Sequence, residues 1–312
     1  MVLERIVANV EKVIIGKREA VEHTVLALLC GGHVLLEDVP GVGKTMLVRA
    51  LAASIGCSFQ RIQFTPDLMP SDVTGISVYH PRTEQFTFRP GPIMANIVLA
   101  DELNRTSPRT QAALLEAMEE KRVTMDGETY ALPDPFLLLA TQNPLDQEGT
   151  FALPEAQLDR FLLKIALGYP SEMQELALLD RMAYRHPIER LQPVVLREEV
   201  QLLQKKVPDI HVDPSLKEYV VSLTAATRRH AEVRLGASPR ATMALMRAAQ
   251  AKAFMLGRSF CLPDDIKALA VPVLSHRLVL QPEARWSGRT AEMVVEQLLE
   301  QQTVPTLRYA HS

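Results

Sequence analysis

Aromatic side chains are scarce in this chain: tryptophan, tyrosine and phenylalanine together make up 5% of its 312 residues. That scarcity speaks against a surface built to stack on exposed bases. No charge excess compensates, because 34 Lys and Arg stand against 37 Asp and Glu, for a formal charge of -3. A protein made mainly to grip nucleic acid carries a basic excess, although a local basic groove is compatible with these totals. Cysteine is nearly missing. Cys30, Cys57 and Cys261 lie far apart without metal-ligand spacing and read as reduced thiols in apolar surroundings. No apolar run is long enough to span a membrane, and no arginine-rich leader opens the chain. A cytoplasmic protein is expected. There is no internal repeat and no Asp-x-Ser-x-Ser metal-site signature.

What is present is an ordinary globular composition, 47% hydrophobic and 23% charged, long enough for about two domains. In the first half, short apolar runs at residues 34–36, 97–100, 136–140 and 161–167 are bounded by polar, proline or glycine residues. Runs of this kind fit strands buried on both faces of a parallel sheet; residues 60–64 form a weaker fifth candidate. Helices lie between them, notably 108–121, with Ser107 as N-cap and Pro108 at the first helical position. Two hairpins interrupt the alternation, at 76–88 and at 123–130, the second turning at Asp126-Gly127. Beyond Pro170 the strand signal fades, and 171–186, 196–206, 214–230, 240–257, 263–275 and 288–302 read as helices punctuated by prolines. The expectation is a three-layer α/β domain with a parallel sheet over 1–189, followed by an all-helical domain over 190–312. The runs 202–206 and 245–254 are expected to be core-facing stripes with charged outer faces.

The chemistry starts at Glu37-Asp-Val-Pro-Gly-Val-Gly-Lys-Thr45, directly after the first apolar run. A strand, a glycine-containing loop and Lys-Thr opening a helix make the geometry of a phosphate-binding loop. Pro40, Gly41, Val42, Gly43, Lys44, Thr45 and Met46 are its candidate binding residues. Backbone N–H groups and the helix dipole would face a polyphosphate. Lys44 would reach the β/γ-phosphates, and the Thr45 hydroxyl would serve Mg²⁺. The usual pattern has glycine at position 38, whereas this chain has Asp38, whose carboxylate must turn away from phosphate for the site to work. The run 97–100 ends in Asp101-Glu102, acids at the carboxyl end of a parallel strand, where α/β folds bind ligands. Asp101 would hold Mg²⁺ through water, and Glu102 would orient the attacking water. Asn143, after the run 136–140, would project beside them. Arg160 precedes a strand, and Arg240 opens a helix after Pro239, an unfavourable place for a cation unless an anion is near.

Together with Ala100-Asp-Glu-Leu-Asn-Arg105, Leu114-Leu-Glu-Ala-Met-Glu-Glu120, Ala140-Thr-Gln-Asn-Pro144, Pro154-Glu-Ala-Gln-Leu-Asp-Arg-Phe161 and Gly236-Ala-Ser-Pro-Arg-Ala241, the phosphate loop resembles the MoxR family of AAA+ ATPases over nearly the whole chain. That family commonly carries Glu-Asp at positions 37–38. The resemblance implies ATP and Mg²⁺ bound between an α/β core and a helical lid. Lys44 and Thr45 match Walker A, Asp101 and Glu102 Walker B, Asn143 sensor 1 and Arg240 sensor 2. Arg160 matches an arginine finger supplied to a neighbouring subunit, which implies a homo-oligomeric ring, taken as a hexamer. Ile15 and Gly16 fall in the segment that packs on adenine. The hairpins match inserts facing a ring pore or surface, where Arg82, Arg89 and Lys121 would meet a client.

The implied activity is ATP hydrolysis driving the remodelling or activation of protein complexes, with a von Willebrand factor A domain protein as partner. A nucleic-acid motor of helicase or branch-migration type and a magnesium-chelatase-like subunit remain alternatives. Charge, aromatic content and the lack of a winged-helix extension weigh against nucleic acid.

Overall fold

The structure is a computed structural model that describes residues 2–82, 84–143, 150–182 and 187–305. Its centre is a five-stranded sheet of β1 (Val34–Glu37), β2 (Phe59–Gln63), β5 (Ile97–Asp101), β8 (Leu137–Gln142) and β9 (Leu163–Ile165) in the order β2-β5-β8-β1-β9. Every pairing is parallel. Val34, Leu36, Ile97, Leu99, Leu137 and Leu139 face one apolar cluster, while Leu35, Val98, Ala100, Leu138 and Ala140 face the other. This is the two-residue period of a strand with both faces covered. Each fully buried Val, Leu or Ile among them contributes about 1.5–3 kcal/mol relative to exposure.

Helices α1 (Val2–Glu11), α2 (Arg18–Leu29) and α3 (Lys44–Ser54) cover the first face, and α4 (Pro70–Thr74) and α5 (Pro108–Glu120) the second. Ser107 caps α5, its side chain accepting from the Thr110 N–H. A short helix α6 (Glu155–Leu158) precedes β9. The expected run 161–167 contracts to a three-residue strand, because the Phe161 N–H donates to the Leu158 carbonyl at one end and the Leu167 N–H to Asp38 at the other. Helices α1 and α2 are not among the expected elements, although Leu3, Ile6, Val7 and Val10 follow helical spacing and are all buried.

Both hairpins form. β3 (Gly75–His80) pairs antiparallel with β4 (Gln85–Pro90), and β6 (Arg122–Met125) with β7 (Glu128–Ala131). The base of the first is closed so tightly that a Cβ on Gly75 would fall 2.5 Å from the Arg89 carbonyl oxygen. Phe88 and Tyr130 stack across the two hairpins, centroids 4.1 Å apart. Arg82, Arg89 and Lys121 are exposed.

The remaining chain is helical: α7 (Glu172–Met182), α8 (Arg197–Lys206), α9 (Pro214–Arg229), α10 (Pro239–Met255), α11 (Pro263–Leu274), α12 (Pro282–Trp286) and α13 (Ala291–Gln301). Residues 183–186, the end of the expected helix 171–186, lie outside the described residues. The helix expected over 288–302 starts at Ala291, where Thr290 caps it. One short antiparallel ribbon joins β10 (Val233–Leu235) and β11 (Val279–Leu280), strands too brief to show a periodic signal. In α10, Leu245, Ala248, Ala249 and Ala251 are buried as expected, whereas Leu202 of α8 is 59% exposed. A single apolar cluster runs from α1–α3 and the sheet into α9, α10, α11 and α13, so the helical region packs directly on the α/β layers.

Three buried histidines, His23, His33 and His276, have their pKa lowered by burial and make stability pH-dependent, and the last two are the most enclosed. His33 Nδ1 accepts from the Leu138 N–H at 3.1 Å, and burial pushes its pKa down to about 3. His276 Nε2 lies 3.0 Å from the Phe161 carbonyl; burial, then the Arg277 charge, holds it well below the ordinary range. All three folded values lie below the unfolded one. The unfolded chain therefore binds more protons as pH falls through about 6.5, so stability is full above that pH and declines below it. The slope is about 1.4 kcal/mol per pH unit for each histidine. Urea midpoints should drop between about pH 7.5 and pH 5.5, and His33→Gln should flatten the drop. A midpoint independent of pH would contradict this account.

Candidate active site

The phosphate loop leaves β1 at Glu37 and enters α3 at Lys44. Gly41 and Gly43 adopt positive φ (+85 and +95) with open space at their missing Cβ positions. The turn therefore needs glycine for its backbone conformation. The Lys44 ammonium donates to the carbonyls of Asp38 (2.8 Å) and Val39 (3.1 Å). Asp38 is buried and faces away from the loop mouth. Its Oδ1 accepts from the Val39 N–H (2.9 Å), and its Oδ2 from the N–H groups of Leu167 (2.6 Å) and Gly168 (2.8 Å). The carboxylate that breaks the usual loop pattern is thus consumed by backbone donors.

The acids stand opposite. Asp101 ends β5, and Glu102 adopts the left-handed region (φ 58, ψ 47), a conformation that non-glycine residues hold only where surroundings enforce it. The enforcement is visible: the Glu102 N–H donates to Thr141 Oγ1 (2.8 Å), whose hydroxyl donates to Asp101 Oδ1 (2.6 Å). Arg61 Nη2 donates to Asp101 Oδ2 (2.7 Å). The Glu102 carboxylate accepts from Gln63 Nε2 (2.7 Å) and Arg105 Nη1 (3.0 Å). Pro40, Gly41, Gly43, Lys44, Thr45, Met46, Asp101, Glu102 and Asn143, all singled out in the sequence, line one cleft of about 360 Å³ together with Arg61 and Thr141. Val42 is half-buried and packs into the core instead. Sequence reasoning misses Arg61, Gln63 and Thr141. Arg61 and Gln63 alternate on β2 and Thr141 sits two residues before Asn143, but only the strand register brings them to the acids.

A metal would find hard oxygen donors here, the Thr45 hydroxyl and the Asp101 carboxylate, at the mouth of a loop suited to phosphate. Among the described residues no group of three His, Cys, Asp or Glu is placed to hold a metal ion. One hydroxyl and one carboxylate are a donor set that fits Mg²⁺, which takes one or two protein oxygens and completes its shell with phosphate and water.

Gly16 lines a different cleft of about 480 Å³, with Lys17, Glu37, Lys164, Leu167 and Pro272; Ile15 is half-buried in the turn just before it. Arg160 and Arg240 line neither. They meet at Glu119, near the end of α5: Arg160 Nε lies 3.0 Å from Oε2, and Arg240 pairs with Oε1. Both line a third cleft of about 310 Å³ with Lys121, Asp159, Arg247 and Arg277. Asp159 fixes them side by side. Its Oδ2 accepts from Ser238 Oγ (2.8 Å), the N-cap of α10, and its Oδ1 from Arg277 Nε (2.8 Å). Arg277, buried and also bonded to the carbonyls of Phe161, Leu162 and Val273, has its pKa pushed down to about 10 by burial, against the pull of Asp159. Nothing in the run around Arg277 marks it out. The resemblance gives Arg240 a sensor role at bound nucleotide; the structure places it with Arg160, apart from the phosphate cleft of its own chain.

A phosphate loop, an acidic strand end and a helical region packed beside them define an AAA-type ATPase. The family described as ATPase family associated with various cellular activities (AAA) matches residues 33–163, and AAA lid domain matches residues 225–298. The chain is similar to Chaperone MoxR1 of Mycobacterium tuberculosis, 40% identical over 97% of this chain and 82% of that protein. It is 55% identical to the uncharacterized protein YeaC of Bacillus subtilis, over 99% of this chain and 96% of that protein. A solved structure from Cytophaga hutchinsonii, described as a candidate ATPase, superposes with a TM-score of 0.90 at 38% identity and covers 98% of this chain and 95% of its own. The chain belongs to the MoxR family of AAA+ ATPases. Among the described residues no helix is long and apolar enough to cross a membrane.

Thr141 offers a direct test of how the acids are held. Thr141→Val leaves the Glu102 N–H without its acceptor and Asp101 Oδ1 without its donor. Stability should fall by about 1–3 kcal/mol in urea unfolding. ATPase kcat should fall about tenfold, because a displaced catalytic group costs rate steeply. Unchanged kcat would mean that Thr141 does not place these carboxylates.

Proposed function

We propose that the protein is an ATP-hydrolysing subunit of a homo-oligomeric ring, taken as a hexamer, that remodels or activates protein complexes in the cytoplasm. The observation that carries this reading is the division of the catalytic set. The phosphate loop, Asp101, Glu102 and Asn143 share one cleft, while Arg160 and Arg240 share Glu119 in another. A site divided in this way is completed by the arginine face of a second copy.

In this reading the loop N–H groups and Lys44 hold the β/γ-phosphates. Thr45 and Asp101 hold Mg²⁺, which when bound offsets phosphate charge. Glu102, steadied by Gln63 and Arg105, orients the attacking water and takes its proton. Asn143 hydrogen-bonds the γ-phosphate or that water. The neighbour's Arg160 and Arg240 neutralise charge on the transferring phosphoryl group, an effect worth about 10³–10⁵ in rate for an arginine finger. Adenine lies over Ile15–Gly16. The hairpins supply the client contact, a role supported by exposed Tyr79 and Phe86 at 48% and 69% and by exposed Arg82 and Arg89. The partner is a von Willebrand factor A domain protein rather than nucleic acid.

Two variants separate these roles. Glu102→Gln should bind ATP normally and turn over at least about 100-fold more slowly. Arg160→Ala should bind ATP yet be inactive alone, and mixing it with Lys44→Ala should restore part of the turnover, because each supplies what the other lacks. Full activity of Arg160→Ala by itself would remove it as the finger. Several-fold stimulation by DNA at physiological salt would favour a nucleic-acid motor instead.

A further inference from the structure

We infer that Asp38 is a positioning residue whose carboxylate joins the phosphate loop to the strap at Leu167–Gly168, holding the phosphate cleft in fixed relation to the cleft beside Gly16. The inference rests on the ATP-binding reading above. The two carboxylate oxygens serve opposite sides: Oδ1 accepts from Val39 in the loop (2.9 Å), Oδ2 from Leu167 (2.6 Å) and Gly168 (2.8 Å) beyond the end of β9. Asp38 is only 7% exposed, so these bonds form away from bulk water, where an unmade partner is costly. A glycine at this position supplies no acceptor for any of the three donors.

The strap is tied onward to the other cleft. Lys17 Nζ donates to the Tyr169 carbonyl (2.8 Å), and Gln174 Nε2 to the Gly16 carbonyl (3.4 Å). Gln174 thus covers Gly16 with the end of its side chain, and Lys17 supplies the shorter of the two ties. Leu167 and Gly16 line the same cleft. Loop, strap and Gly16 turn therefore form one frame, with Asp38 as its link to the phosphates. A ligand that uses both clefts gains from their fixed separation, because the second contact is made at high effective concentration. A ligand that uses the phosphate cleft alone does not.

Calorimetric titration with two probes tests the assignment: adenylyl imidodiphosphate, a non-hydrolysable ATP analogue spanning both clefts, and inorganic tripolyphosphate, which occupies one. Asp38→Asn keeps the shape but turns an NH₂ group toward backbone donors. The analogue's Kd should rise about tenfold or more, while that of tripolyphosphate stays within about threefold. Equal weakening of both probes, or of neither, overturns the assignment, since a merely structural role in the loop would affect both alike. Gly168→Ala disturbs the strap from its far side: the φ of +63 strains alanine, although its Cβ meets nothing within 4 Å. It should reproduce the same selective loss, and carries the test if Asp38→Asn melts early. Unmodified protein that binds neither probe would sink the ATPase reading and this assignment with it. Analogue binding that survives both substitutions sinks this assignment alone.

Discussion

All five strands of the central sheet run parallel, and the candidate site follows from that constraint. Parallel strands bring their carboxyl ends to one edge. Here those ends are Glu37, Asp101 and Gln142, followed by the phosphate loop, Glu102 and Asn143. Parallel strands also need cover on both faces, and the helices that supply it fix the register. Register then decides partners. Pairing of Gln63 with Asp101 across β2 and β5 puts Arg61 and Gln63 within hydrogen-bond reach of the acidic pair. Pairing of β5 with β8 puts the Thr141 hydroxyl between Asp101 and the Glu102 backbone. The positive φ of Glu102 is bearable because these contacts outweigh its cost of roughly 1–3 kcal/mol.

The second cleft depends on a buried ion pair. Arg277 is buried in the helical region and reaches Asp159, which lies next to Arg160 in sequence. Desolvation alone would make such a cation expensive. The pair is sustained because Arg277 also meets carbonyls of Phe161 and Leu162, and Asp159 also meets Ser238. The helical region is therefore fastened beside Arg160, just before β9, and beside Arg240, in the first turn of α10. Two arginines converging on one Glu119 follow from this fastening rather than from their distance in sequence.

Much of this architecture is legible in the order of the residues. Residues 97–100 and 136–140 read as buried strands because a continuous apolar run has few other uses at that length. The loop through Lys44-Thr45 and the acids at Asp101-Glu102 are legible because their chemistry requires particular residue types at particular offsets. What stays hidden depends on tertiary pairing. Arg61 and Thr141 look like ordinary strand residues until register places them. Arg277 has no local pattern at all. Helix α1 has a signal, the spacing of Leu3, Ile6, Val7 and Val10, whereas α2 is buried over most of its length, from Ala20 to Leu29, and shows no single apolar stripe. The ribbon of β10 and β11, three and two residues long, is below the length at which periodicity exists. Val42 sits inside the loop motif yet packs into the core, since a motif names positions and not side-chain directions.

Asp38 shows how a residue that counts against a motif in sequence can support it in space. Taken locally, a carboxylate beside a phosphate loop opposes anion binding by like-charge repulsion. Its effect depends on where the negative charge is compensated. Three backbone N–H groups converge on it within 2.9 Å, one from Val39 in the loop and two from the strap, so the charge is met by oriented dipoles rather than left facing the phosphate cleft. Charge-assisted bonds of this kind are stronger than neutral ones. Two of the three donors come from more than a hundred residues away, and no local pattern announces them. The same side chain that would repel phosphate if it rotated toward the loop is held from rotating by the strap. Loop geometry and strap position are thereby a single constraint, and the loop's departure from the usual glycine is intelligible only together with Leu167 and Gly168.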